Sequence, residues 1–301
     1  MAPTSTKPHL GIGQKLVLVL KLIKFLSSTV LSLLSAPFRG SAGAPQYIKH
    51  VGYHAIRSAT GALSSEQIQY LIPSTDESYA AFAKWKGFIP QSIVLADGTK
   101  GHWIGPKDAE KKPISASATA SRTLSQPFGY RLGQEAFECM CRTFPPAKHS
   151  VLTVKSKIVL AGDSAGGNLC LALLSHMSHP HPDVPKVEST ENFRGAALLS
   201  PWVTFDIGAP AMKTNRYKDC LKDKTLQYWG DQFMGKAKAD PYNQPLTASS
   251  DWWSALAVDE ILIVAGADEI MIDDIQEFAK KLEVNNNHYF YGFTPNRELD
   301  L

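Results

Sequence analysis

The sequence has few of the features that indicate a disulfide-stabilised, metal-binding or nucleic-acid-binding protein. It contains only four cysteines in 301 residues, and they do not have the spacing of zinc ligands. It contains no Asn-x-Ser/Thr sequon, and its formal net charge is only +3. Because no basic stripe lies beside aromatic residues, we do not expect the protein to bind nucleic acid. We also expect no cofactor and no metal ion.

The composition is that of an ordinary globular protein. Of all residues, 44% are hydrophobic and 20% are charged, which suits one α/β domain of this length. Cys170 falls in a segment with a helical pattern, where a buried thiol is the simplest interpretation.

The longest apolar run lies near the N-terminus, from Leu16 to Ala36, and has about the length of a membrane span, roughly 20 residues. Polar residues recur within and beside it at helical spacing, so they form one narrow stripe on an apolar helix. The stripe consists of Gln14, Lys21, Lys24, Ser28, Ser32 and Ser35. This pattern predicts an interfacial helix that contacts a membrane through residues 14–36, with its lysine stems reaching toward headgroups. The alternatives are a single-pass anchor and a helix packed on the protein itself.

Residues 158–169, IVLAGDSAGGNL, have the pattern of a strand, a tight turn and a helix, with a serine at the apex. In a Gly-x-Ser-x-Gly turn the serine adopts a strained backbone conformation that holds its hydroxyl clear of the sheet. We therefore predict that Ser164 is a nucleophile and that the N–H of Ala165, at the start of the helix, contributes to an oxyanion site. The other residues of this predicted elbow are Gly162, Asp163, Gly166 and Gly167.

This turn resembles the nucleophile elbow of the α/β-hydrolase fold. It is most similar to that of the hormone-sensitive-lipase-like (GDXG) esterases, which include a fungal steryl-acetyl-hydrolase-like branch. The resemblance extends from about Leu16 to Leu282. It implies an α/β fold with a mostly parallel central sheet flanked by helices, together with a helical cap over the active site.

The expected domain organisation has two parts. Residues 1–40 form a membrane-associated apolar helix, and residues 41–301 form the hydrolase domain. The cap that the resemblance implies would comprise segments near 51–90 and 207–256. Between them, an Asp-Gly pair at 97–98 predicts the turn of a β-hairpin that opens the hydrolase sheet.

Residues 114–154 depart from the pattern of the family. A central parallel strand is almost continuously apolar, but this segment is polar and contains no run of apolar β-formers. It also lacks paired glycines, so the His-Gly-Gly-Gly oxyanion loop of the family is absent. We therefore expect the fold to be incomplete here and in residues 285–301.

The resemblance also indicates an acid and a histidine that would complete a catalytic triad with the serine. Glu269 follows an apolar strand and matches the family pattern Asp/Glu-x-apolar-x-Asp, so we prefer it as the acid, with Asp268 as the alternative. His288 follows the acid and is the candidate base, although it stands closer to the acid than the histidine of the family does. A surface histidine is the alternative. We interpret three further histidines, His176, His179 and His181, as a solvent-facing helix end, with a metal site as the alternative.

Together these residues predict a serine esterase that cleaves esters of lipophilic small molecules. The serine would attack the ester carbonyl, a histidine would accept its proton, and the acid would orient that histidine. Two alternatives stay open: an acyltransferase on the same scaffold, and a catalytically impaired hydrolase-like protein that lacks the oxyanion loop and a well-placed histidine. We expect association with a membrane, at the endoplasmic reticulum, with the cytoplasm as the alternative location.

Overall fold

The computed structural model describes residues 8–40, 43–94, 100–103, 114–117, 158–184, 186, 192–284 and 289–294. The chain divides into two compact units. The first comprises Met1–Asp108 and Lys213–Leu226, and the second comprises Ala109–Met212 and Gln227–Leu301.

Helices form most of the described part of the first unit. The long apolar helix predicted from the sequence is α1 (Ile12–Ser35). Ser64 and Ser74 begin two shorter helices, and each serine hydroxyl accepts a hydrogen bond from the N–H three residues later, as in a capping box. The helices after α1 are α2 (Tyr47–Ala62), α3 (Ser65–Leu71) and α4 (Thr75–Lys86). The role of this segment as a cap stays a prediction.

The predicted β-hairpin is confirmed. The prediction that it belongs to the hydrolase sheet is wrong. Strands β1 (Gln91–Val94) and β2 (Lys100–Trp103) pair in antiparallel fashion, and the turn at 97–98 lies outside the described residues. The hairpin forms a two-stranded sheet of its own. The ring of His102 stacks on Tyr79 of α4 with centroids 4.4 Å apart, so the hairpin packs on the helices of the first unit.

A five-stranded parallel sheet organises the second unit, in the order β3-β4-β5-β6-β7. Its strands are β3 (Ile114–Ser117), β4 (Ile158–Asp163), β5 (Gly195–Leu199), β6 (Ile261–Gly266) and β7 (Tyr289–Thr294). Chains that join parallel strands must cross back over the sheet, usually as helices. The mostly parallel sheet with flanking helices that the sequence predicts is therefore confirmed.

Strand β3 corrects one prediction. No strand was expected in residues 114–154, yet Ile114–Ser117 pairs in parallel with β4 from Ile158 to Ala161. A parallel ladder is made by backbone N–H and C=O groups, so the polar sequence Ile-Ser-Ala-Ser can occupy the end position of the described sheet. The residues that follow, 118–157, lie outside the described part of the chain.

The helices that follow β4 in the chain are α5 (Ala165–Ser178), α6 (Ala211–Thr214), α7 (Asp223–Met234) and α8 (Ile272–Glu283). Helices α5 and α8 pack on the sheet. Helix α8 buries an apolar face that includes Phe278. Trp253 is fully buried and packs edge-on against Phe278 with ring centroids 5.1 Å apart. This tryptophan therefore belongs to the core.

Helix α5 is almost wholly buried and carries the thiol considered above. Cys170 is 5% exposed, and burial raises the pKa of its thiol to about 12. The thiol is therefore protonated at neutral pH. The interpretation of Cys170 as a buried structural residue is confirmed.

Candidate active site

Ser164 lies between the last residue of β4 and the first residue of α5. Its φ of 54° and ψ of −112° fall in a region that residues other than glycine rarely adopt. Neighbouring segments hold this conformation through the backbone. Ser164 N donates to Leu199 O at 2.9 Å, and Ser164 O accepts from Trp202 N at 3.0 Å. The strained turn is thus fixed by β5 and by the segment that follows it.

Two glycines allow the backbone segments of this turn to approach each other. A Cβ at Gly162 would stand 2.6 Å from the N of Gly167 and would overlap the carbonyl of Gly166. A Cβ at Gly167 would stand 2.9 Å from the Cα of Pro201, beyond the end of β5. Because these neighbours are backbone or ring atoms, they cannot move aside as a flexible side chain could. Close packing therefore explains why both positions are glycine.

Glu269 lies just beyond the end of β6. Its Oε1 accepts a hydrogen bond from Gly266 N at 2.6 Å and another from the Ser200 hydroxyl at 2.7 Å. Its other oxygen, Oε2, is buried. Asp268, the alternative acid, is half-buried beside it. The carboxylate of Glu269 is therefore anchored to two strand ends at once.

The ends of three adjacent strands bring Ser164 and Glu269 to one edge of the sheet. In the register of the sheet, Asp163 lies opposite Leu199, and Leu199 lies opposite Val264. Residues that follow parallel strands all emerge at the carboxyl edge, which is where ligands bind in open α/β sheets. The structure thus places the candidate nucleophile and the candidate acid at this edge, with the end of β5 between them.

Two residues help to hold this site together but were not predicted from the sequence. Ser200 has a φ of 43° and donates to Glu269. Asn168 is 4% exposed, and its Nδ2 donates to Trp202 O at 2.8 Å and to Asn243 O at 2.9 Å, which ties α5 to two loops. The sequence signal that could have indicated a role for Asn168 is its polar amide within a run of small and apolar residues. Nothing in the sequence Leu-Leu-Ser-Pro distinguishes Ser200.

The third predicted triad member, His288, lies outside the described residues, and so does the segment 118–157. Strand β7 is described from Tyr289 to Thr294, and its register runs from Tyr289 opposite Ile261 to Thr294 opposite Gly266. The carboxyl end of β7 therefore lies beside the end of β6 that precedes Glu269, and its first residue, Tyr289, lies at the opposite, amino edge of the sheet. The expectation of an incomplete fold in residues 285–301 is wrong for 289–294, because these residues pair with β6 as a parallel strand.

The histidines at the end of α5 take part in packing, and the prediction of a solvent-facing helix end is wrong for His176. This residue is 2% exposed, and its Nδ1 accepts from His181 N at 3.0 Å, because the turn after α5 folds back on the helix. His179 stacks on Trp252 with ring centroids 3.9 Å apart. Within the part of the chain that the structure describes, no group of three or more His, Cys, Asp or Glu side chains is placed to hold a metal ion.

Carboxylates at the start of α8 repel one another. Burial raises the pKa of Asp274 to about 6, and the negative charges of Asp206 and Asp273 contribute to the same shift. Asp273 Oδ2 accepts from Ala211 N at 2.7 Å. Asp274 is therefore a half-buried carboxylate that is less stable when ionised than a carboxylate in water.

Residues 134–296 match the family model of the alpha/beta hydrolase fold, and this match covers more than half of the chain. The chain belongs to the α/β-hydrolase fold family. The fold class predicted from the resemblance of the Ser164 turn is thereby confirmed. No curated protein matches the chain in sequence.

Solved structures with the same fold include an esterase/lipase from an uncultured bacterium and the Francisella virulence factor BioJ. The esterase/lipase is 17% identical over 75% of this chain and 84% of its own, with a TM-score of 0.53. BioJ is 17% identical over 75% of this chain and 83% of its own, with a TM-score of 0.54. A hormone-sensitive lipase from a metagenome library is 22% identical, but the match spans 54% of this chain and only about half, 48%, of that chain, with a TM-score of 0.42. Likeness at these identities establishes the fold alone.

Proposed function

We propose that this α/β hydrolase is a serine esterase that cleaves esters of lipophilic small molecules, with Ser164 as its nucleophile. The backbone of Ser164 is the observation on which this proposal rests, because a serine with φ 54° stands between β4 and α5. Strained conformations of this kind cluster at active sites, and α/β hydrolases place their nucleophile at such a turn. The esterase/lipase among the structures of similar fold supports the same reaction class.

In the proposed reaction, the Ser164 hydroxyl attacks the ester carbonyl while a histidine accepts its proton. The tetrahedral intermediate then expels the alcohol, which takes up that proton, and water releases the acyl group as a carboxylic acid. The N–H of Ala165, at the start of α5, would donate to the oxyanion. Glu269 is the preferred acid over Asp268, because Gly266 and Ser200 fix its carboxylate at the edge of the sheet that carries Ser164.

Two groups in this mechanism have alternatives: the base that accepts the serine proton and the acceptor of the acyl group. His288 is the base that the sequence offers after the acid, and its role stays a prediction. The position of the next residue, Tyr289, opposite Ile261 at the amino edge of the sheet does not favour it. An acyltransferase would use the same acyl-enzyme with an alcohol or amine in place of water. A catalytically impaired protein would keep the strained serine without turning over substrate.

Turnover of p-nitrophenyl butyrate by the full chain tests the proposal. We expect measurable hydrolysis by the wild type and a loss of about 10³-fold or more in Ser164→Ala, because removal of a triad nucleophile leaves only the contribution of binding and the oxyanion site. Ser254→Ala is the matched control, since Ser254 is exposed and its hydroxyl donates to Asp251 O. Turnover that survives Ser164→Ala contradicts the proposal. A folded wild type without turnover supports the impaired alternative.

We also propose that the protein acts at a membrane, which suits a lipophilic ester. Among the described residues, one helix, Ile12–Phe38, is long and apolar enough to cross a membrane. The location at the endoplasmic reticulum and the membership of the hormone-sensitive-lipase-like and steryl-acetyl-hydrolase-like branches stay predictions.

A further inference from the structure

Helix α1 turns part of its polar stripe toward the protein. Lys21 Nζ donates to Gln67 Oε1 of α3 at 2.9 Å, and Ser28 Oγ lies 2.8 Å from Nε2 of His54 in α2. Ser32 is only 5% exposed. The expectation that the lysine stems reach toward headgroups is therefore wrong for Lys21, whose polar partner lies on α3. Ser28, which pairs with α2, and the buried Ser32 lie on the same protein-facing side of the helix.

These contacts hold α1 along much of its length. The first involves Lys21, and the last involves Leu33, whose carbonyl accepts from the Tyr47 hydroxyl at 2.7 Å. At a rise of 1.5 Å per residue, the contacts cover about 18 Å of helix. Burial, together with the nearby charge of Arg57, lowers the pKa of His54, so its ring is neutral near pH 7 and can pair with the Ser28 hydroxyl.

The outward face of α1 is made of large apolar side chains. Five leucines of the helix are 60–66% exposed: Leu16, Leu20, Leu26, Leu31 and Leu34. A surface helix of a water-soluble protein normally turns its apolar residues to the core and its polar residues to water. In α1 this arrangement is reversed along the part that contacts α2 and α3. A contiguous exposed apolar face of this kind indicates a surface that a partner or a membrane covers.

The charge of the same region favours lipid as that partner. The first acidic residue of the chain is Glu66, whereas residues 1–65 contain seven lysines and arginines. Lys15 and Lys24 are exposed on α1. A second copy of the chain would bring these positive charges together, but a membrane with anionic headgroups would attract them.

We propose that the outward face of α1 is a monotopic docking surface for a bilayer that contains anionic lipid, and that α1 lies in the plane of the membrane. A helix that crosses the bilayer would carry its polar partners on α2 and α3 into the hydrocarbon, where Gln67 and His54 are costly. A helix in the membrane plane keeps those partners on the aqueous side. This inference rests on the membrane association proposed above. To the interfacial helix predicted from the sequence it adds which face of α1 meets the bilayer and which face is held by α2 and α3.

Flotation of the full chain with vesicles tests the docking surface. We expect the wild type to float with vesicles of phosphatidylcholine and phosphatidylserine, and to bind less to phosphatidylcholine alone. The double variant Leu20→Glu/Leu31→Glu should lower the bound fraction about tenfold or more, because each glutamate would enter the apolar part of the interface. Tyr228→Glu, on an exposed residue of α7, is the control and should bind as the wild type does. A wild type that stays unbound, whether as a monomer or as a dimer, overturns both the association and the docking surface.

Protease protection separates the orientation of α1 from the association itself. The full chain with a different epitope tag at each end is synthesised in the presence of microsomes and then treated with protease. We expect the two tags to share one fate, because a helix in the membrane plane leaves both ends of the chain on one side. Protection of one tag with digestion of the other means that α1 crosses the membrane. That result overturns the orientation and leaves membrane association intact.

Discussion

The hydroxyl of Ser200 donates a hydrogen bond to Oε1 of Glu269 at 2.7 Å, and this bond joins the ends of β5 and β6. The N–H of Ser200 also donates to Val264 O at 2.7 Å. Leu199, the preceding residue, accepts from Ser164 N at 2.9 Å. A single dipeptide therefore contacts both the candidate nucleophile and the candidate acid.

Ser200→Ala should impair catalysis without impairing substrate binding. The variant keeps the backbone contacts and removes the hydroxyl that fixes Glu269, so the acid would orient its histidine less well. We expect kcat for p-nitrophenyl butyrate to fall about tenfold, equivalent to roughly 1.4 kcal/mol in activation free energy, with little change in KM. An increase in KM at constant kcat would show that Ser200 acts on the binding of substrate instead.

Glycine-to-alanine substitutions should have opposite effects at two positions. At Gly162 a Cβ would overlap the backbone of the next turn, so we expect Gly162→Ala to lower the free energy of unfolding by about 2 kcal/mol or more. At Gly52, inside α2, a Cβ would meet no atom within 4 Å, so Gly52→Ala should stabilise the protein by roughly 0.5–1 kcal/mol. Urea denaturation of both variants measures the difference. Equal midpoints would contradict the close packing described for the Ser164 turn.

Asp274→Asn should stabilise the protein at neutral and alkaline pH, but not at acidic pH. Because its pKa is raised to about 6 from the ordinary 3.8, the folded state holds the proton more tightly than the unfolded state does. The stability that protonation contributes is therefore present below about pH 3.8 and is lost as the pH rises through about 6. After allowance for partial solvent exposure, we expect a gain of roughly 1 kcal/mol for the asparagine variant at pH 8. A gain of the same size at pH 4 would contradict this origin.

Cys170 should resist alkylation in the folded protein. Its thiol is 5% exposed, and its pKa of about 12 leaves almost no thiolate at pH 8. Peptide mapping after iodoacetamide treatment should find Cys170 unmodified under native conditions and modified in concentrated urea. Cys220, which is half-exposed, is the internal control. Rapid modification of Cys170 in the native protein would show that α5 is open to solvent.

The sequence was sufficient to predict the elements whose pattern repeats over many residues, and the strand-turn-helix around Ser164. A stripe of polar residues shows which face of α1 they share, but not whether Lys21 contacts a headgroup or Gln67. Strand β3 could not be predicted because it is four residues long and is held by backbone pairing to a distant segment. The roles of Ser200 and Asn168 arise from contacts between loops that are far apart in the sequence.

Covalent labelling with a fluorophosphonate tests most directly whether Ser164 is an activated nucleophile. The reagent forms a stable bond with a serine hydroxyl that a neighbouring base activates. We predict one adduct per chain by intact mass, located by peptide mapping on the peptide that contains Ser164, and no adduct on Ser164→Ala. An adduct on another residue, or equal labelling of the wild type and Ser164→Ala, would contradict the assignment of Ser164 as the nucleophile.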